Sequence, residues 1–232
     1  MSMTFGQMQT EVFTWLIDTP TAVQTLTPVF INRAMHKLQM KHDFKCMEAE
    51  TMFVTSNNTR TLGAVPALWK KPRNAKPYLV EQLGPVRELN YVSTEGEAKA
   101  RWGDNSTLNF GAPRLVAEDN PTNTFLFYPY SDQLSDYPDG QYRIYVPYWA
   151  FLPNLVNADD TNWFTLNGEQ AVVYQAVAMG FLANQDEQRA AGWNGLAVSE
   201  MKDLVQLDKE RRSAETASFT PHLGARMPHV QE

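Results

Sequence analysis

The side chains of this sequence that could do chemistry are carboxylates grouped in two turn-rich segments. Asp132, Asp136 and Asp139 form one group, and Asp159 and Asp160 form the other. Paired carboxylates can hydrolyse glycosides or bind calcium, but neither group has the spacing of an EF-hand loop. Aspartate is also common in turns, because its side chain caps nearby backbone amides. We therefore expect both groups to shape loops.

The histidine and cysteine residues provide no further candidate for a catalytic or metal site. His36 and His42 lie six residues apart on a predicted helix, which puts them on different faces. Cys46 is the only cysteine, so a disulfide within the chain and a multi-cysteine zinc site are both excluded. The sequence contains no G-x-S-x-G, P-loop or G-x-G-x-x-G motif. It predicts no catalytic residue, no cofactor and no metal site, and Cys46 is expected to be a packing residue.

Helical periodicity marks both ends of the chain. Thr4 and Gln7 have the spacing of a capping box, and Thr27 is the predicted cap of a second helix. The three longest predicted helices span 28–45, 168–184 and 187–212. Each has an apolar face that it cannot bury alone, so we expect the three helices to pack together.

Between these helices the pattern changes to short apolar runs separated by turns. The predicted strands lie at 52–55, 88–92, 114–117, 124–128 and 142–149. Pro147 cannot donate to a sheet ladder, which predicts that its strand lies at an edge or a bulge. The predicted fold class is α+β, with a helical bundle of 1–50 and 165–212, an inserted β-rich domain of 51–164 and an extended C-terminal arm of 213–232.

A basic stripe is the most distinctive predicted surface. Arg33, Lys37, Lys41 and Lys45 recur every four residues, and the last helix carries acids at Asp186, Glu187, Glu200, Asp203, Asp208 and Glu210. Solvated charged faces are the default interpretation of both sets. The alternative is that the stripe contacts an acidic surface of a neighbouring subunit. The net charge of −6 does not favour dedicated nucleic-acid binding, which needs a basic surplus.

Several segments occur in a characteristic order. They are the helix at 31–47, the Gly111-Ala112-Pro113 entry to a strand, the strands at 125–129 and 142–149, the turn at 152–155 and the later alanine-rich helix. Over about 12–212, this order resembles the adaptor proteins of tailed bacteriophages, which are head-to-tail connector subunits below the portal.

The resemblance implies a structural virion protein of the neck, assembled in the host bacterial cytoplasm. Identical subunits would form a dodecameric ring that binds the portal protein, receives a tail or nozzle protein and leaves a channel for genome ejection. DNA would pass without specific binding, and no membrane contact is implied.

The arm at 213–232 has sparse apolar residues, and its prolines disfavour a stable helix. We expect it to bind the portal through Phe219, His222, Leu223 and Arg226, with a disordered tail as the alternative. Two other functions stay open: another neck or tail-completion subunit, and a carbohydrate-binding or carbohydrate-active protein. The last would use the aromatic residues Tyr137, Tyr142, Tyr148, Trp149 and Trp163.

Overall fold

A computed structural model of the chain describes residues 2–56, 60–73, 76–80, 86–102, 110–129, 131–132, 134–135 and 137–218, without the side chains of residues 102 and 214–218. The chain divides into two compact units. A helical unit comprises the described residues of Met1–Cys46 and Asn154–Glu232, and a β-rich unit comprises those of Met47–Pro153. The α+β fold class predicted from the sequence is confirmed.

The described helices, in chain order, are α1 (Phe5–Trp15), α2 (Thr21–Gln24), α3 (Thr27–Lys41), α4 (Glu95–Trp102), α5 (Trp163–Asn167), α6 (Glu169–Ala183) and α7 (Glu187–Ser218). The described strands are β1 (Glu48–Val54), β2 (Thr61–Ala64), β3 (Trp69–Pro72), β4 (Tyr78–Val80), β5 (Arg87–Glu88), β6 (Asn90–Val92), β7 (Leu115–Asp119), β8 (Thr124–Tyr128) and β9 (Arg143–Ala150). A 3₁₀ turn, Lys45–Met47, precedes β1.

Helix α6 is the centre of the helical unit. It contacts α1, α2, α3, α5 and α7, and it is apolar around its circumference because other helices cover it on several sides. The expectation that the three longest predicted helices pack together is confirmed, since α6 packs against both α3 and α7. Small residues allow these close approaches: a Cβ added at Gly180 would lie 2.6 Å from Leu16 Cδ1.

Replacing Gly180 with valine should therefore destabilise the helical unit. Leu16 is completely buried, so its side chain cannot move into solvent to make room. We expect Gly180→Val to lower the free energy of unfolding by about 2 kcal/mol, as overpacking in cores commonly does. Urea denaturation followed by tryptophan fluorescence measures the change. Gly192→Val is the matched control, because a Cβ at Gly192 on α7 meets nothing within 4 Å; equal stability of the two variants would contradict the packing argument.

The sequence predicted two N-terminal helix caps, and the structure confirms one of them. The capping box is confirmed: the Gln7 amide donates to Thr4 Oγ1 at 3.4 Å, and the Thr4 amide donates to Gln7 Oε1 at 2.8 Å. Thr27 does not cap α3, because its hydroxyl donates to the Gln24 carbonyl and Leu26 takes the cap position. Helix α3 ends at Lys41, so the predicted end near residue 45 is wrong.

The β-rich unit contains two sheets that share a core. In the first, β9 pairs antiparallel with β1, β3 and β4, and β4 pairs with β5; the second has the order β2-β8-β7-β6. In β8, Phe125 and Phe127 point into the core shared with β9, while Leu126 and Tyr128 pack on the other face with Ala98 of α4. Both faces of this strand are buried, which explains its continuous apolar run.

Pro147 lies in a central strand, so the edge alternative of its prediction is wrong, and the nearest bulge or irregularity of β9 lies opposite β3 at residues 149–150. On one side of β9, Pro147 is paired with Glu50 of β1. On the other side, β4 pairs with 143–145 and β3 pairs with 148–150. The missing amide of Pro147 therefore falls where one partner strand ends and the next begins, and this position tolerates proline.

Helix α4 interrupts a segment in which the sequence predicts strands and turns. Its cap is Thr94, whose hydroxyl accepts from the Glu97 amide at 3.2 Å. Glu95 pairs with Lys99 at 3.1 Å and Glu97 with Arg101 at 2.7 Å. The N-cap and the two i,i+4 ion pairs can be recognised from the spacing of these residues in the sequence. The apolar periodicity of α4 is weak, because Ala98 is the one buried residue among those of the helix whose side chains are described.

Helix α7 continues past the predicted end at Arg212. It reaches Ser218, so the first residues assigned to an extended arm are helical. Alanine and glutamate between 213 and 217 are good helix formers, and the first proline comes only at Pro221. The remaining residues of that arm, 219–232, lie outside the described residues.

Candidate functional site

The four cations of the predicted basic stripe have different environments. Arg33 and Lys41 are exposed on α3. Lys37 is half-buried, and its Nζ donates to Asn194 Oδ1 of α7 at 3.5 Å. Burial and the nearby charge of Lys41 lower the pKa of Lys37. Lys45 lies beyond the end of α3, in the Lys45–Met47 turn, so the stripe is a helical surface only from Arg33 to Lys41.

Asp208 joins α7 to the chain that follows α3. The residue is 2% exposed, so the interpretation of this acid as part of a solvated face is wrong. Its Oδ1 accepts from the Lys45 amide at 2.9 Å, and its Oδ2 accepts from Arg212 Nε at 2.9 Å. His42 Nε2 lies 3.2 Å from the same Oδ2, and Arg212 also donates to the Asp43 carbonyl. These contacts fix the segment that leads out of α3.

The sequence contains a signal for this buried acid. The buried residues of α7 include Ala197, Met201, Leu204 and Asp208, which follow one another at spacings of three and four. Asp208 and Arg212 also have i,i+4 spacing. The apolar period therefore places Asp208 on the buried face, beside its own cation.

Cys46 directly follows Lys45, whose amide donates to Asp208, and it is half-buried. Burial, together with the negative charge of Asp208, raises the pKa of the Cys46 thiol to about 12. The thiol stays protonated at neutral pH and is therefore a poor nucleophile, which is consistent with a packing role.

The acidic groups of the predicted loops bind nearby backbone and side chains. Asp160 accepts from the Val156 and Asn157 amides at 2.7 and 2.8 Å. Asp139 accepts from the Gln141 amide at 3.0 Å and pairs with Arg143, and Asp132 accepts from the Leu134 amide and the Tyr142 hydroxyl. The loop-forming interpretation is confirmed for these three acids. Asp159 is exposed, and Asp136 lies outside the described residues.

Asp160 gives a prediction about pH. Hydrogen bonds from the two amides lower the pKa of its carboxyl. The unfolded chain then binds more protons than the folded chain between the two pKa values, so stability rises with pH across that interval. We expect the stabilising contribution of Asp160 to be complete above the ordinary aspartate pKa and to fall as pH decreases below it.

Urea denaturation between pH 6 and pH 3 tests this expectation against an Asp160→Asn variant. The variant should lose more stability at pH 6 than at pH 3. Asp159→Asn, the exposed neighbour, is the control. Equal losses for Asp160→Asn at both pH values would show that its charge is irrelevant to the loop.

The helical unit therefore has exposed cations on α3, and the acids whose hydrogen bonds are given above stabilise the fold. Among the described residues there is no group of three or more histidine, cysteine, aspartate or glutamate side chains arranged to hold a metal ion. No described helix is long and apolar enough to cross a membrane. A family model described as SU10 adaptor protein matches residues 3–221.

The chain belongs to the SU10 adaptor protein family. The resemblance read from the sequence is thereby confirmed, and the match extends beyond its limits at both ends. Membership of this phage adaptor family implies a structural component of the virion that contacts other capsid or tail proteins in a non-enzymatic role. Comparison with curated proteins gives no match.

The aromatic residues considered for sugar binding are engaged in packing in this adaptor. Tyr142, Tyr148 and Trp149 are buried. Arg143 lies 4.5 Å above the ring of Tyr137, and the ring of Trp163 lies 4.9 Å from that of Phe44. Each of these rings therefore has a role in the fold, which does not favour the carbohydrate alternative.

The predicted portal-docking residues Phe219, His222, Leu223 and Arg226 lie outside the described residues. The family match ends at residue 221 and so includes only Phe219 of this set. The portal contact of these residues stays a prediction.

Proposed function

We propose that the adaptor forms a homo-oligomeric, dodecameric ring that joins the portal to the tail at the neck of the virion. The ring leaves a channel through which the genome passes during ejection, without specific contacts to the DNA. The family match over residues 3–221 is the observation that carries this proposal. Assembly takes place in the host bacterial cytoplasm.

The exposed cations support contacts between subunits. Arg33 and Lys41 make no ion pair within the part of the chain that the structure describes. Lys37 and Lys41 also repel each other. An acidic surface on a neighbouring copy would relieve this repulsion and fix the relative position of the subunits. We assign Arg33, Lys37 and Lys41 to that contact, and Lys45 to its margin.

Residues 219–232 supply the contact with the portal in this proposal. A ring presents many copies of the segment at once, so weak individual contacts combine into stable binding. The tail or nozzle protein binds the opposite side of the ring. The same ring geometry serves another neck or tail-completion subunit equally well, and portal binding separates the two functions.

Imaging the purified adaptor mixed with its portal protein tests the proposal. We expect a closed ring of adaptor subunits against one end of the portal, and co-sedimentation of the two proteins. The adaptor mixed with an unrelated soluble protein of similar net charge is the control for non-specific association. An adaptor that stays monomeric and does not co-sediment with the portal would contradict the proposed position in the virion.

A further inference from the structure

Between residues 200 and 210, the exposed surface of α7 carries bases on one side and acids on the other. On the side that faces α3, Lys202 and Lys209 stand with Lys41 around a groove of about 380 Å³. Val198 and Val205 contribute apolar surface to this groove. We call Lys41, Lys202 and Lys209 the basic flank.

Over the same residues, the other side of α7 carries acids, and Arg211 follows them with a hydrogen bond to Asn167. Glu200 and Asp203 line a groove of about 190 Å³ next to the start of α6, together with Leu207. Glu210 lies seven residues after Asp203 and is also exposed. We call Glu200, Asp203 and Glu210 the acidic flank. Leu196 is half exposed on the same side of the helix, so this flank also carries apolar surface.

Neither the lysines of the basic flank nor the acids of the acidic flank form an ion pair with any described residue. The two flanks also have the same spacing. Lys202 and Lys209 are seven residues apart, as are Asp203 and Glu210, so each pair spans about 10 Å along the helix.

We propose that the basic flank of one copy binds the acidic flank of the next copy. Two α7 helices lying side by side in parallel present lysines and acids at matching intervals, and a shift of one residue brings Lys202 opposite Asp203 and Lys209 opposite Glu210. The two surfaces are different, so the interface is heterologous, as a ring with more than two subunits requires. This inference rests on the proposed ring and names the surfaces that build it.

Charge reversal on one flank should prevent the contact. We expect Lys202→Glu with Lys209→Glu, and separately Asp203→Lys with Glu210→Lys, each to weaken self-association by about 100-fold, because like charges then face each other. All four residues are exposed, and lysine and glutamate have similar helix propensities, so both variants should fold normally. Sedimentation velocity measures association, and circular dichroism verifies folding.

Complementation makes the experiment specific. An equimolar mixture of the two variants should assemble, because every interface then joins opposite charges again. The quadruple variant, with both flanks reversed, should assemble alone. Wild-type assembly that neither double variant weakens, or that the mixture and the quadruple variant fail to restore, would overturn the flank contact while leaving the ring intact. A wild-type adaptor that forms no oligomer alone or with the portal would overturn the proposed ring and the contact together.

Discussion

Replacing Asp208 with alanine is expected to destabilise the adaptor by about 2 to 3 kcal/mol, because its buried carboxylate accepts hydrogen bonds from a backbone amide and from a partly exposed guanidinium. The carboxylate is almost inaccessible and binds three groups: the Lys45 amide, Arg212 Nε and His42 Nε2. Alanine removes the acceptor of the Lys45 amide and the carboxylate that Arg212 Nε contacts. A typical domain is stable by only about 5 to 15 kcal/mol, so the loss is a large fraction of the total.

Urea denaturation measures the loss, and hydrogen exchange of the Lys45 amide shows whether it arises at the predicted place. We expect protection of this amide to fall in Asp208→Ala. Asp203→Ala is the matched control, since Asp203 is an exposed acid on the same helix, and it should change stability by no more than about 0.5 kcal/mol. If the two alanine variants are equally stable, the contacts of Asp208 with His42, Lys45 and Arg212 do not hold the end of α3 to α7.

Removing residues 219–232 is expected to abolish portal binding without unfolding the adaptor. The truncation leaves α7 complete to Ser218 and keeps Arg212 with its bonds to Asp208 and Asp43. The thermal midpoint should therefore be unchanged. Portal affinity should fall by at least about 100-fold, because many weak contacts around the ring are lost together.

Two point variants refine the truncation. Phe219→Ala with Leu223→Ala should weaken portal binding strongly, since buried apolar anchors dominate interfaces. His229→Ala, in the same segment but outside the predicted contact set, serves as the control. Co-sedimentation with the portal measures binding. A truncated adaptor that joins the portal as well as the full chain does would show that the contact lies elsewhere.

The two variants act on different parts of the proposed function. Asp208 fixes the relation of α7 to α3 within a subunit, and both flanks proposed for the subunit contact include residues of α7. Residues 219–232 follow α7 directly in the chain. Loss of Asp208 should thus reduce ring assembly along with stability, whereas the truncation should affect portal binding alone.

Local patterns in the sequence predicted much of this fold. Thr4 and Gln7 form their capping box because the two residues need only one turn of helix to meet. The sequence predicted the strand at 124–128 with the bounds that the structure has. Its continuous apolar run is consistent with its burial on both faces. Aspartates in turns capped neighbouring amides for the same local reason. The order of these elements also carried the resemblance to phage adaptors.

Tertiary structure decided the features that depend on partners far away in the chain. The Lys45 amide binds Asp208, 163 residues later, and the buried environment of that acid exists only once α7 packs against the other helices. Pro147 is tolerated in a central strand because two different strands, β4 and β3, meet beside it. Helix propensity and apolar period depend on near neighbours, whereas burial and pairing depend on which distant segments pack together.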